Sequence, residues 1–201
     1  MFEVERKFHL TADEKERLLN GAQFIGEKQF VDVYYDTADY RLTTQNWWLR
    51  SRAGQWELKL SRAQHADRSV TNYQELTTES DIRSALHLSP NGTLENTIRQ
   101  HGYVPFCLCT TTRRKYQKGE FGIDLDEVTY ADALFTYTIA EIERVVPQQS
   151  EMEQAVQDIL SFAHGHRLTM TPVRGKVLEY LKRIWPDHYQ ALVGAGTVKD
   201  F

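Results

Sequence analysis

Three predicted strands of this chain each carry two acids that are separated by one aliphatic residue. The three segments are Glu3-Val4-Glu5, Asp124-Leu125-Asp126 and Glu141-Ile142-Glu143. Successive side chains of a β-strand point to opposite faces, so the two acids of each pair share one face and the aliphatic residue occupies the other. One such pair is typical of a strand that faces water. Three pairs in one chain require a common structural explanation.

Basic residues follow the same alternation on other predicted strands. Arg50-Ser51-Arg52 places two guanidinium groups on one face, and Lys7, Lys59 and Arg113 also alternate with other residues. Such a sheet either lies open with one wet face or curls until its charged face lines a cavity. Helical segments between the strands could cover the apolar faces. A barrel with a polar interior and external helices satisfies both demands, so the sequence predicts an α+β fold of this kind.

The chain is predicted to be a single domain. Its 201 residues contain no internal repeat and no convincing linker, and this length suffices for a sizeable core. We expect the domain to span residues 1–192 and a flexible C-terminal tail to span 193–201, around Gly194-Ala195-Gly196. Ala53-Gly54 predicts a hairpin turn between two strands. The polar stretch 61–71 predicts a long loop.

Composition excludes several functional classes. A net charge of −4 argues against a protein that binds nucleic acid through a globally basic surface. No apolar run is long enough to span a bilayer, and no basic leader precedes an apolar stretch. Cys107 and Cys109 predict a buried pair of free thiols in a reducing compartment. We therefore expect a cytoplasmic monomer that binds neither nucleic acid nor a membrane.

Acids and bases in one interior cavity indicate a metal ion together with a phosphate chain. Clustered carboxylates repel one another unless a cation lies among them, and hard oxygen ligands suit Mg²⁺, with Mn²⁺ as a second candidate. Grouped Arg and Lys side chains suit a polyanion, since Arg offers two parallel donors to a phosphate. The glycines Gly92 and Gly122 are isolated, so the chain has no glycine-rich phosphate loop to serve instead.

The opening strand Glu3-Val4-Glu5-Arg6-Lys7-Phe8 resembles the E-x-E-x-K signature of the CYTH domain family, also called the triphosphate tunnel metalloenzymes. The resemblance covers roughly residues 1–192 in the order of the family. Its further segments are Tyr34-Tyr35-Asp36-Thr37, Trp48-Leu49-Arg50-Ser51-Arg52, Trp56-Glu57-Leu58-Lys59, Arg113, Asp124-Leu125-Asp126, Glu141-Ile142-Glu143 and Lys176.

This resemblance implies an eight-stranded antiparallel β-barrel, a tunnel fold with helices packed on the outside. It also implies a role for each charged position. The implied phosphate-binding residues are Lys7, Arg50, Arg52, Lys59, Arg113 and Lys176. The residues implied to surround the metal are Glu3, Glu5, Asp124, Asp126, Glu141 and Glu143, with Glu75 as a further tunnel residue. Strand parity does not decide between Arg113 and Arg114 as the inward residue, and no group is assigned to activate water.

Within the family the chain is similar to the members that hydrolyse thiamine triphosphate. Trp48 lies where those proteins place a tryptophan against the thiamine ring, and the C-terminal segment 176–189 is similar to theirs. The resemblance thus implies a metal-dependent hydrolase that converts thiamine triphosphate to thiamine diphosphate and phosphate. The alternatives are an inorganic tripolyphosphatase, an adenylyl cyclase and a non-catalytic module that binds nucleotides or polyphosphate.

Overall fold

The structure, a computed structural model, describes residues 2–61 and 71–200. Within these ranges the chain forms eight β-strands and six α-helices. The strands are β1 Phe2–Phe8, β2 Gln23–Asp36, β3 Trp47–Arg52, β4 Gln55–Ser61, β5 Thr71–Leu76, β6 Val104–Lys118, β7 Phe121–Tyr130 and β8 Ala133–Val146. The helices are α1 Ala12–Leu19, α2 Glu79–Ala85, α3 Leu94–Gln100, α4 Met152–Gly165, α5 Lys176–Ile184 and α6 Pro186–Gly194.

The eight strands form a closed barrel in the order β1-β5-β4-β3-β2-β6-β7-β8. Every neighbouring pair is antiparallel, and β1 closes the ring between β5 and β8. The prediction of an α+β fold built on an eight-stranded antiparallel barrel is therefore confirmed. The predicted loop over 61–71 lies outside the described residues, apart from its two end residues, which belong to β4 and β5.

The predicted hairpin between β3 and β4 turns at Ala53 and Gly54. Both residues have positive φ, 49° and 80°, as a two-residue turn requires when it matches the twist of the flanking strands. The register that follows pairs Arg50 with Glu57 and Trp48 with Lys59. This turn therefore sets which charged side chains of the two strands lie side by side.

Apolar side chains on the outer face of the barrel pack against helices α1 to α4. Val4, Ile123 and Ile142 form one buried cluster with Leu18 of α1 and Ile159 of α4. A second outer cluster joins β3 and β4 to α2 and α3, and it contains Leu49, Leu58, Ile82, Leu94 and Ile98. Val4 and Ile142, which stand between the acids of the pairs Glu3/Glu5 and Glu141/Glu143, thus lie on the outside of the barrel. The paired acids therefore point inward.

The last two helices contribute to a third apolar cluster, which fills part of the barrel interior. It combines inward side chains of β6, β7 and β8 with side chains of α5 and α6. The stacked rings of Tyr130 and Tyr180 lie 5.1 Å apart, and the hydroxyl of Tyr137 donates to the carbonyl of Arg174 at 2.6 Å. Cys107 and Cys109 are buried in this cluster as free thiols, as predicted.

The segment after α6 packs back onto the molecule. Val198 is only 8% exposed and belongs to the third cluster, and Lys182 Nζ lies 2.9 Å from Asp200 Oδ1. The flexibility of residues 193–201 stays a prediction, but Val198 and Asp200 make specific contacts. None of the helices in the described part of the chain is long and apolar enough to cross a membrane.

Candidate active site

The barrel encloses a cavity of about 480 Å³. Twelve of the fourteen predicted site residues line it, and they come from six strands of the barrel, with a further contribution from the start of α5. These twelve are Glu3, Glu5, Lys7, Trp48, Arg50, Arg52, Lys59, Glu75, Arg113, Glu141, Glu143 and Lys176. The remaining two, Asp124 and Asp126, are buried behind Arg113. The alternation of charged residues therefore places this set of side chains around one space.

The first charged group in the cavity is the cation cluster, defined as Arg50, Arg52 and Lys176 around Asp32. Asp32 is fully buried and binds Arg52 through two bonds, 2.7 Å to Nε and 3.0 Å to Nη2. Lys176 Nζ donates to the same carboxylate at 2.8 Å, and Arg50 Nη1 lies 3.7 Å away. A single carboxylate thus holds three cations in fixed positions.

Electrostatics keep this cluster fully ionised. Burial alone would raise the pKa of Asp32, but its bonds to Arg52 and the charges of Lys176 and Arg50 hold that pKa well below its usual range. Burial would lower the pKa of Lys176, yet the acidic groups around it, Asp32 among them, raise the pKa above its ordinary value. Both charged forms are thereby favoured at neutral pH.

The second group is the carboxylate cluster, which comprises Glu3, Glu5, Asp124, Asp126, Glu141 and Glu143. Four cations contact it. Lys7 contacts Glu5 and lies 3.3 Å from Glu141, and Lys59 Nζ lies 2.6 Å from Glu3 and 2.7 Å from Glu75. The other two cations are Arg113 and Lys115 of β6. Acids outnumber bases in this part of the cavity.

Arg113 occupies the centre of the carboxylate cluster. Its guanidinium contacts Asp124, binds Asp126 through two bonds of 2.6 Å, and lies 3.0 Å from Glu141. The next residue, Arg114, points to the outside, where Nε lies 2.6 Å from Glu27 and the side chain is 54% exposed. The structure thus identifies Arg113 as the inward residue of the two.

Burial raises the pKa values of most of the shifted acids in the carboxylate cluster. Burial raises the pKa of Asp124 to about 6 and also raises the pKa of Glu143. Burial raises the pKa of Glu5 as well, and the nearby charges of Glu141 and Glu3 add to the effect. Glu141 is the exception, because Lys7 and Arg113 outweigh burial and lower its pKa.

Trp48 lies in the cavity beside a small group of uncharged polar side chains. Its indole Nε1 donates to the carboxamide oxygen of Asn46 at 2.9 Å. The hydroxyl of Tyr73 donates to the same oxygen at 3.4 Å. Trp47, one residue earlier, instead packs against the outer cluster of β3 and β4. Trp48 therefore presents an aromatic surface to the cavity, and its contact with a thiamine ring stays a prediction.

Three charged side chains of the site were not predicted from the sequence as ligands. Asp32 is a lone acid between Val31 and Val33, but its alternation with Phe30 and Tyr34 is a usable signal for an inward position. Glu57 shares the face of Lys59 and lies 2.7 Å from Arg50. Lys115 lies two residues after Arg113, and its Nζ is 2.6 Å from Glu143.

The donor set fits a divalent metal in its chemistry. Carboxylate oxygens are the hard ligands that Mg²⁺ and Mn²⁺ prefer, and the buried Oδ1 of Asp124 has no hydrogen-bond partner. Within the described residues, no three acidic, His or Cys side chains are already grouped around one point as metal ligands. The Lys and Arg partners of the acids account for this, since they occupy many of the carboxylate oxygens.

A closed antiparallel barrel with a cation cluster and a carboxylate cluster in one cavity defines the tunnel-fold class of proteins. The CYTH domain family matches residues 1–171, and this chain belongs to the CYTH family.

Curated relatives match along the whole chain. The thiamine-triphosphatase of Macaca fascicularis is 30% identical over 218 residues, which cover 99% of this chain and 92% of that protein. The Homo sapiens thiamine-triphosphatase is 29% identical over 219 residues, covering 100% and 93%.

Solved structures show the same fold at lower identity. A Pyrococcus horikoshii OT3 protein superposes with a TM-score of 0.61 and 20% identity, covering 90% of this chain and 99% of that one. A Hippeastrum protein described as having a dominant triphosphatase activity superposes with a TM-score of 0.56 and 14% identity, covering 92% and 97%.

Proposed function

We propose that this protein is a metal-dependent hydrolase that cleaves the terminal phosphate of thiamine triphosphate to give thiamine diphosphate and phosphate. The observation that carries the proposal is the presence of a cation cluster, a carboxylate cluster and Trp48 in one cavity. The two relatives named thiamine-triphosphatase support the choice of substrate.

The phosphate chain would bind where bases outnumber acids. Arg50 and Arg52 offer paired N–H donors that suit phosphate oxygens, and Lys176 adds a compact positive charge. Asp32 holds these groups in place before substrate arrives. Binding therefore requires little rearrangement of the cations, and the fixed charges can stabilise the transferred phosphoryl group.

The carboxylate cluster would hold the metal. When bound, Mg²⁺ or Mn²⁺ would supply a Lewis acid that neutralises charge on the phosphate oxygens. Glu3, Glu5, Glu141 and Glu143 line the cavity and are the carboxylates that would hold it, with the unpartnered Oδ1 of Asp124 as a further candidate oxygen. Asp124 and Asp126 bind Arg113 and would orient that guanidinium toward the substrate. A bound triphosphate would also attract Lys7 and Lys59, which would free oxygens of their acidic partners.

The second candidate is an inorganic tripolyphosphatase. It is favoured by one observation: the charged side chains of the cavity suit the phosphate chain and its metal, whereas Trp48 is the aromatic residue assigned to the organic half of the substrate. An enzyme that acts on inorganic tripolyphosphate would use the same two clusters and would have no need of Trp48.

One assay separates the candidate functions. Phosphate release is measured from thiamine triphosphate, tripolyphosphate and ATP, each with Mg²⁺, Mn²⁺ or Ca²⁺ and with a chelator. We expect the highest kcat/KM for thiamine triphosphate with Mg²⁺ or Mn²⁺, and loss of activity in the chelator. Formation of cyclic AMP from ATP would instead identify a cyclase, and binding without turnover would identify a non-catalytic module.

A Trp48→Ala variant distinguishes the two hydrolases. Loss of ring stacking should lower kcat/KM for thiamine triphosphate by about 10-fold or more, while tripolyphosphate turnover should change little. Equal losses for both substrates, or no loss for either, would reject the role of Trp48 and favour the tripolyphosphatase.

A further inference from the structure

Asn46 occupies an unusual position at the entrance to β3. It follows a 3₁₀ turn formed by Thr43–Gln45, and its backbone is left-handed, with φ 58° and ψ 38°. Asparagine tolerates this conformation better than most residues. Its backbone N–H donates to the carbonyl of Thr43 at 2.9 Å, and its side chain lines the cavity. The turn thus directs a carboxamide group into the site.

The carboxamide oxygen of Asn46 accepts two hydrogen bonds from different parts of the cavity wall. Trp48 Nε1 on β3 donates at 2.9 Å, and the Tyr73 hydroxyl on β5 donates at 3.4 Å. Strand β4 separates β3 from β5 in the barrel. Asn46 therefore accepts hydrogen bonds from two aromatic side chains of different strands, and the Tyr73 hydroxyl also lies within hydrogen-bonding reach of the Trp48 side chain.

Tyr73 extends this link toward the charged clusters. The ammonium of Lys59 lies 5.6 Å from the centre of its ring. Burial raises the pKa of the Tyr73 hydroxyl to about 12, so the hydroxyl keeps its proton and remains a donor to Asn46 at neutral pH. The carboxamide that accepts from the Trp48 indole thus also accepts from a tyrosine whose ring lies beside Lys59.

We propose that Asn46 is a positioning residue that fixes the indole plane of Trp48 against the ring of the organic half of the substrate. The inference rests on the proposed function, in which Trp48 contacts that ring. Without this acceptor, the indole would lose one constraint on its orientation in the free protein. The indole would then become ordered only when substrate binds, and that ordering would weaken binding. Asn46 thus acts on specificity for an aromatic-ring triphosphate and makes no contact with the phosphate chain.

The test uses Asn46→Gly, which keeps the left-handed backbone and removes the acceptor, and Asn46→Asp, which keeps both. His87→Gly is a matched control, because His87 is exposed and also has a left-handed φ of 52°. We expect Asn46→Gly to raise KM for thiamine triphosphate by about 5- to 10-fold, the loss expected for one hydrogen bond. The kcat of Asn46→Gly for thiamine triphosphate, and its kcat/KM for tripolyphosphate, should stay within about 2-fold of the values for the unmodified protein.

Asn46→Asp should restore KM for thiamine triphosphate to within about 3-fold of the unmodified protein, and His87→Gly should leave it unchanged. An equal rise of KM for both substrates in Asn46→Gly would overturn the proposal, because it would indicate a general disturbance of the cavity. So would an unchanged KM for thiamine triphosphate.

A second readout needs no activity. The Trp48 indole N–H resonance, assigned with Trp48→Phe among the four tryptophans, should shift in Asn46→Gly and stay in place in His87→Gly. If the unmodified protein fails to hydrolyse thiamine triphosphate, the proposed function fails, while the resonance still decides whether Asn46 positions Trp48. An unshifted resonance would reject the positioning role in either case.

Discussion

The cation cluster and the carboxylate cluster occupy the same cavity but carry charge imbalances of opposite sign. In the first, Asp32 and Glu57 balance three bases, so positive charge is in excess. In the second, six carboxylates share Lys7, Lys59, Arg113 and Lys115, so negative charge is in excess. Burial keeps water from screening either imbalance.

This difference teaches what the cavity lacks in each part. The cation cluster has fewer anions than cations, and a phosphate chain would supply the missing negative charge. The carboxylate cluster has fewer cations than acids, and burial raises the pKa values of Asp124, Glu5 and Glu143, with neighbouring acids adding to the effect. A metal-bound triphosphate is a ligand that meets both needs at once, because its anionic and cationic parts lie within one small molecule.

The largest expected effect comes from Arg113, the central base of the carboxylate cluster. Arg113→Met should lower kcat/KM for the triphosphate substrate by about 100- to 1,000-fold, as loss of a fixed charge at a reacting phosphoryl group does. The variant also leaves three acids without their shared partner, so its unfolding free energy must be measured in parallel by urea denaturation.

Two variants control for folding in that experiment. Arg114→Met changes the neighbouring residue on the outside of the same strand, and its activity should stay within about 2-fold. Arg113→Lys keeps the charge but loses the planar group that reaches several acids, so it should retain the fold and still lose at least about 10-fold. Full activity in Arg113→Lys would show that charge alone matters there.

The next effect tests the cation cluster through Asp32. Asp32→Asn should lower the unfolding free energy by about 3 kcal/mol, because it leaves buried cations without their shared anion. Metal-free tripolyphosphate should then raise the melting temperature of this variant more than that of the unmodified protein, since the polyanion replaces the missing charge.

Glu95→Gln provides the matched surface control for Asp32→Asn. It breaks an exposed pair with Arg99 at 2.8 Å and should change stability by less than about 0.5 kcal/mol. A smaller thermal shift with tripolyphosphate in Asp32→Asn than in the unmodified protein would contradict the view that the cluster awaits an anion.

A third prediction concerns His188, which lies outside the two charged clusters and should make the stability of the fold depend on pH. Burial lowers the pKa of His188 from 6.5 to about 4, and its Nε2 lies 2.7 Å from the Thr43 hydroxyl. The unfolded chain therefore binds this proton at a higher pH than the folded chain. Stability from this group is complete above pH 6.5 and is lost as the pH falls toward 4.

The size of this loss is about 3 kcal/mol between pH 6.5 and 4. It should appear as the difference in unfolding free energy between the unmodified protein and His188→Gln, measured by denaturant titration at several pH values. A difference that does not change with pH would place the acid sensitivity of the protein in the cavity carboxylates instead.

The smallest effect is expected for Lys115, at the edge of the carboxylate cluster. Its side chain is 37% exposed, so water screens its charge more than that of Arg113. Lys115→Met should lower kcat/KM by about 2- to 5-fold, mainly through KM, with Arg114→Met again as the reference. A loss as large as that of Arg113→Met would mean that the two bases act as one unit.

The inward positions of the tunnel were predictable because strand alternation is a local rule. The i, i+2 spacing of each acid pair, and of Arg50 and Arg52, places both residues of the pair on the same face of their strand. Asp32 escaped prediction because it is the single acid within the apolar and aromatic segment 30–35 of β2. Lys115 escaped because it follows Arg113 and Arg114 in a run of bases, where the sequence offers no contrast between inward and outward residues.

Features that depend on tertiary packing were less accessible from the sequence. Lys176 begins a helix, and only the family resemblance indicated that it enters the cavity. Pro186–Gly194 forms the nine-residue helix α6, whose place in the apolar cluster inside the barrel depends on partners from distant strands. Glycines near residue 195 predict flexibility, whereas the burial of Val198 depends on partners from distant parts of the chain.

The position of β1 between β5 and β8 has a consequence for how the protein is made. Glu5 pairs with Glu143 across the closing seam, so β1 cannot complete the barrel until β8 has been synthesised. Pairings between such distant segments slow folding. A nascent chain that ends before β8 and α5 would hold Glu3, Glu5 and Lys7 without Glu141 or Lys176, and the cavity would be assembled only after both elements have been made.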